Sequence, residues 1–143
     1  MNKNCRNNDF RRRCLEVYGE MERMGRRPTL REVVVKAIAT PAPSFYVSSE
    51  YAYNKLLRIL HCGELPDPST PRGCMWMEIA ALVQSEQLRR GGSMARALGH
   101  VLNFRRPSCF YISTREGMRI ASPAFESRRI HRPRRPQGAR QSK

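Results

Sequence analysis

The segment Pro43-Ser44-Phe45-Tyr46-Val47-Ser48-Ser49 returns, slightly altered, as Pro107-Ser108-Cys109-Phe110-Tyr111-Ile112-Ser113-Thr114, about 65 residues later. Each copy follows a stretch of helical periodicity and leads into another. One helix–strand–helix unit used twice gives a pseudo-symmetric molecule, and such a molecule often meets a symmetric or repetitive partner. With 143 residues, 40% of them hydrophobic, the chain can bury one real core.

The pattern predicts about six helices. Asn8 or Asp9 is positioned to cap the first, whose stripe is Phe10, Cys14, Val17, Tyr18, Met21 and Met24, with Gly25 closing it. Thr29-Leu30-Arg31-Glu32 reads as a capping box for a second helix with the stripe Leu30, Val33, Val34, Ala37 and Ile38, stopped by Pro41 and Pro43. Ser48 or Ser49 caps a third, closed by Gly63, and the proline-rich stretch 64–73 reads as a linker. Trp76 lies in a fourth helix that stops at Gly91-Gly92. Ser93 caps a fifth with Met94, Ala97, Leu98, Val101 and Leu102, and Ser113-Thr114-Arg115-Glu116 is a second box opening a sixth.

The expected architecture is mainly α: two similar halves, 29–63 and 93–121, joined by the Trp76 helix within a domain spanning 1–121. Phe45-Tyr46-Val47 and Phe110-Tyr111-Ile112 are aromatic and β-branched, so a small two-stranded β ribbon is expected from them, supported by helices on one face.

Charge then narrows the partner. Formal net charge is +15, and 23 of the 27 basic residues are arginine. Arginine grips phosphate with a planar fork, whereas lysine acts as a point charge. GC-rich codons also raise arginine over lysine, but they explain the net charge less well. Basic residues are densest at the end: residues 122–143 carry seven against one acidic group. Their prolines and few apolar residues lead us to expect a tail that is disordered when free.

Nucleic acid is therefore the expected partner, with DNA ahead of RNA. The tail, Arg128, Arg129, Arg132, Arg134, Arg135 and Arg140, resembles an extended groove-binding arm, against the plainer reading of a solvated end. Arg105, Arg106, Arg115 and Arg119 add contacts in the second half. In the first half, a helix-turn-helix-like reading of residues 29–62 presents Ser49, Lys55 and Arg58 from its second helix, although its connection of about nine residues is long for that motif. Tyr46 and Tyr111 are candidate base-stacking platforms, or else part of core and hinge.

No phosphate-binding loop, dinucleotide fingerprint or zinc-protease motif is present, and His61, His100 and His131 have no spaced catalytic partner. A non-enzymatic role is expected. Cys5, Cys14, Cys62, Cys74 and Cys109 show no CxxC spacing; free thiols in a reducing cytoplasm are expected, with no metal and no cofactor. No apolar run is long enough for a signal peptide or a membrane span, so no membrane partner is expected. The alternative is a protein–protein or assembly module of a phage or mobile element, its charge serving an acidic protein partner.

Through PSFYVSSEYA and RPSCFYIS, residues 28–62 and 94–120 resemble small, basic, uncharacterised bacterial proteins of the gut Bacteroidetes kind. The resemblance implies a bacterial or phage setting and no mechanism.

Overall fold

The computed structural model describes residues 3–126. Six α-helices follow in order: α1 (Lys3–Arg23), α2 (Leu30–Ile38), α3 (Ser49–His61), α4 (Pro71–Arg90), α5 (Met94–Phe104) and α6 (Thr114–Ala121). A 3-10 turn, Ser122–Phe125, closes the described chain.

Local chemistry sets the helix starts. The Thr29 hydroxyl accepts from the Glu32 amide and the Glu32 carboxylate accepts from the Thr29 amide, which completes the capping box. Ser48, Ser93 and Ser113 cap α3, α5 and α6 through the amides three residues on. At α6 the box is half made, because Glu116 turns its carboxylate to Arg119. Neither Asn8 nor Asp9 is a cap; both lie inside α1. The stretch read as a linker contributes the first turn of α4, with Thr70 as its cap.

The helices pack into two clusters, and the chain crosses between them. Phe10, Cys14, Val17 and Met21 of α1 meet Leu30, Val33, Val34 and Ala37 of α2 and Ile120 and Ala121 of α6. Trp76, Ile79 and Val83 of α4 meet Ala97, Leu98 and Val101 of α5 and Ala52 and Leu56 of α3. Each half of the sequence thus builds two helices of one cluster and sends its third helix to the other. The two aromatic segments are the crossings: Phe45 is buried in the α3–α4–α5 cluster and Phe110 in the α1–α2–α6 cluster.

The repeat is therefore longer than residues 29–63 and 93–121. α1 and α4, of 21 and 20 residues, are counterparts, and α4 is a core helix as well as a connection. At a spacing of 69, Phe10 and Cys14 match Ile79 and Val83, all fully buried. At a spacing of 64, Val33, Val34 and Ala37 match Ala97, Leu98 and Val101, and at 65 Ala52 matches Gly117. Gly117 is tightly held: a Cβ there would lie 2.9 Å from Val34 Cγ1 and 3.3 Å from Phe10 Cζ.

The expected β ribbon does not form; no strand occurs among the described residues. Two features oppose it. Pairing needs extended backbone throughout a three-residue strand, yet Tyr46 sits at φ +60°, the left-handed region that bulky residues avoid. In addition, each segment commits its phenylalanine to a different cluster. The backbone bonds go elsewhere: Phe110 N–H donates to Ile38 O, and Ile112 N–H donates to Phe110 O.

The expected tail begins too early. Phe125 is buried and stacks edge-on against Tyr18, with centroids 5.5 Å apart, so the fold continues through the 3-10 turn. The six tail arginines from Arg128 to Arg140 lie outside the described residues. Among the described residues, no helix is long and apolar enough to cross a membrane.

Candidate functional site

The two tyrosines after the crossing phenylalanines are held in the same way. Tyr46 Oη donates to Asp9 Oδ2 at 2.6 Å, and Tyr111 Oη donates to Glu78 Oε1 at 2.5 Å. Asp9 on α1 and Glu78 on α4 again stand 69 positions apart. Burial, then the hydrogen bond to the carboxylate, pushes both phenols well above their ordinary range. These hydroxyls pin each crossing segment to the long helix of its own sequence half. Both rings are half-buried.

Several of the sequence-derived contact residues already have partners. Lys55 and Arg58 both reach Glu64, whose carboxyl is held below its usual value, mainly by the Lys55 hydrogen bond. Arg119 pairs with Glu116. Arg106 Nε donates to Ala42 O at 3.4 Å, and Arg105 caps the end of α5 with its amide bonded to Val101 O. Ser49 is exposed as the first residue of α3, one place after the cap, and Arg115 is exposed on α6. α2 and α3 pack into different clusters, so residues 29–62 do not form the compact helix pair that a helix-turn-helix needs.

The fold instead concentrates cations at two corners. Between α1 and α2, Gly25 at φ +78° turns the chain, and the Arg26 amide donates back to Met21 O. Pro28 is fully buried and anchors the corner. Residues 23–31 hold Arg23, Arg26, Arg27 and Arg31 with no acidic residue. All four are exposed; Arg26 reaches Glu32 at 3.7 Å, and the other three have no carboxylate partner among the described residues.

The pseudo-equivalent corner, between α4 and α5, turns at Gly91 and Gly92 with φ of +70° and +93°. Residues 89–96 hold Arg89, Arg90 and Arg96, again without an acid. Neither corner follows from helical periodicity or tail composition, because each spans a helix end and the turn after it. The legible signal was two acid-free arginine runs, GRRPTLR and RRGGSMAR, at matching positions of the repeat.

Glu86 sits beneath the second corner, at the position Val17 holds in α1, and its side chain is only 3% exposed. It pairs with Arg89 at 3.0 Å and Arg90 at 2.9 Å, and lies 3.7 Å from His100 Nε2. Burial works to raise its pKa, but the Arg89 hydrogen bond and the charges of His100, Arg90 and Arg89 outweigh it, so the carboxyl lies below its ordinary value. A depressed carboxyl stabilises the fold above its unfolded value, near pH 4.3, and that contribution is lost as pH falls through the lower folded value. Glu86→Gln should therefore flatten the drop in the urea midpoint between about pH 5 and pH 3. An unchanged acid profile would mean that Glu86 does not carry this linkage.

Compared with known protein families, with curated proteins and with solved structures, the chain matches none.

Proposed function

We propose that this is a non-enzymatic nucleic-acid-binding protein, with duplex DNA ahead of RNA, that grips phosphates at its two arginine corners and with its basic tail. The observation that carries this reading is the pair of arginine corners at matching ends of α1 and α4, where Arg23, Arg27, Arg31 and Arg96 have no carboxylate partner among the described residues. A pseudo-two-fold protein with one basic corner per half suits a ligand whose charge repeats, as a duplex backbone does. Arginine rather than lysine at these four exposed positions favours bidentate phosphate contact. Phosphate contacts position a protein without reading sequence, so weak sequence preference is expected. In this reading Lys55, Arg58 and Arg119 are structural cations, while Arg105, Arg106 and Arg115 remain available to the backbone.

The test is fluorescence anisotropy with labelled duplex DNA and structured RNA at several salt concentrations. Each phosphate neutralised on duplex DNA contributes about −0.9 to the slope of log K against log salt. The triple substitution Arg23→Gln, Arg27→Gln, Arg31→Gln should flatten that slope by roughly 2–3 units if all three engage. A slope unchanged by this variant would remove the first corner from the interface.

A further inference from the structure

The two crossing segments and the first turns of α1 and α4 border a half-open cavity of about 270 Å³, lined in part by pairs of equivalent residues from the two halves. Phe45 and Phe110 line it, as do Tyr46 and Tyr111, with Ala42 and Pro107 beside them. Lys3 and Arg72, in the first turns of α1 and α4, face it at the same 69-residue spacing. The cavity therefore lies on the pseudo-dyad. Its other apolar walls are Met75 and Ile112, both buried. It is far from the arginine corners, which stand at the other ends of α1 and α4, a helix length of about 30 Å away.

One matched pair breaks the symmetry. Met75 on α4 corresponds to Arg6 on α1, so one wall of an aromatic cavity carries a guanidinium. The Arg6 side chain is only 13% exposed. Its Nε and Nη2 donate to Asn7 Oδ1, its nearest carboxylate is Glu116 at 3.7 Å, and Nη1 makes no hydrogen bond among the described residues. Glu116 is shared with Arg119, so a second anion at Arg6 would complete a neutralisation that the fold only begins. The lining holds three cations, Lys3, Arg6 and Arg72, and one acid, Glu116. Tyr46, in its left-handed backbone conformation, forms part of the same wall, and residues held in sparsely populated backbone regions gather at ligand sites.

We propose that this cavity binds one small aromatic anion, a ring bearing a sulfonate, carboxylate or phosphate, with the ring against Phe45, Phe110 and Met75 and the charge at Arg6. Its volume sits at the low end of the usual range for ligand pockets, roughly 300–1,000 Å³, which limits the ligand to one ring or a fused pair. The aromatic floor supplies dispersion and edge contacts, and the guanidinium supplies a charge-assisted hydrogen bond that fixes orientation. The site uses no corner arginine, so it stands or falls separately from nucleic-acid binding.

The experiment is a titration of the full chain with naphthalene-2-sulfonate, followed by methyl NMR. Saturable one-to-one shifts are expected at the Met75, Ile112 and Ala42 methyls. Arg6→Met, which copies the residue at the matching position, should weaken binding roughly tenfold to a hundredfold, while Arg6→Lys should retain most of it. Neutral 2-naphthol and inorganic phosphate should each bind at least about tenfold more weakly than the sulfonate. The Arg23, Arg27, Arg31 triple variant should bind the sulfonate as the parent does. Should Arg6→Met fail to fold, Lys3→Gln together with Arg6→Lys provides the comparison, with a loss expected from the first change. The proposal is overturned if the cavity methyls do not respond, if removing these charges leaves the affinity unchanged, or if naphthol binds as tightly as the sulfonate.

Discussion

Phe110→Ala is expected to destabilise the protein by about 3–5 kcal/mol in urea titration, the usual loss for a buried phenylalanine cut to alanine. Phe110 is 2% exposed and stands edge-on to Phe10, with centroids 5.1 Å apart and planes at 70°. The Arg13 guanidinium lies 5.8 Å from its ring centroid. An aromatic pair of this geometry contributes about 0.5–1.5 kcal/mol beyond the area it buries. What makes the variant informative is where the ring sits. Phe110 belongs to the second half of the sequence, yet its partners are in α1 and α2. A double-mutant cycle with Phe10→Ala should show coupling of about 0.5–3 kcal/mol, whereas Trp76→Ala, in the other cluster, should add independently. Loss below about 1 kcal/mol, or coupling to Trp76 instead of Phe10, would mean that the halves do not exchange their third helices.

That exchange marks the boundary of what the sequence discloses. Caps and stripes are local: Thr29, Ser48, Ser93 and Ser113 cap through amides three residues away, and a stripe such as Ala97, Leu98 and Val101 follows from helical period alone. The choice of cluster for a finished helix is non-local. Both stripes are apolar in the same way, so periodicity cannot tell whether α3 returns to α2 or crosses to α4 and α5. The correspondence of α1 with α4 was equally hidden. These helices share spacing and burial at Phe10 with Ile79 and at Cys14 with Val83, but almost no residue identity.

The β ribbon failed for a related reason. Phe-Tyr-Val and Phe-Tyr-Ile satisfy strand propensity, and propensity is a statement about a pleated, half-buried surface that these segments never meet. They are crossings instead, with Tyr46 at positive φ and each tyrosine hydroxyl fixed to a carboxylate of a long helix. The candidate surface was partly legible. Net charge pointed to a polyanion, but Lys55 and Arg58 on an apparently free face turn out to share Glu64, which only the turn after α3 brings within reach. The arginine corners are readable only once the repeat is known to include α1 and α4.

Removing residues 127–143 is expected to have the largest effect on binding. The cut falls after Glu126 because Phe125 is core, and a deletion from residue 122 would mix lost charge with lost packing. The removed stretch holds seven cations and no acid, while residues 3–126 keep 20 cations against 12 acids, so net charge falls from +15 to +8. If four to six tail cations engage phosphates together, the slope of log K against log salt should flatten by roughly 4–5 units. Thermal stability should hardly change. Lys55→Gln with Arg58→Gln gives the contrast: both side chains already face Glu64, so this pair should move the slope by well under 2 units, about what two fully engaged phosphates would give. Anisotropy titrations of the three proteins on one duplex decide the matter. A truncated chain with the parent slope would exclude the tail as the main electrostatic element, and a full-length chain that binds neither duplex DNA nor structured RNA at low salt would end the nucleic-acid reading. In that second case the charge is left to an acidic protein partner, because the corners remain exposed and basic whatever they meet.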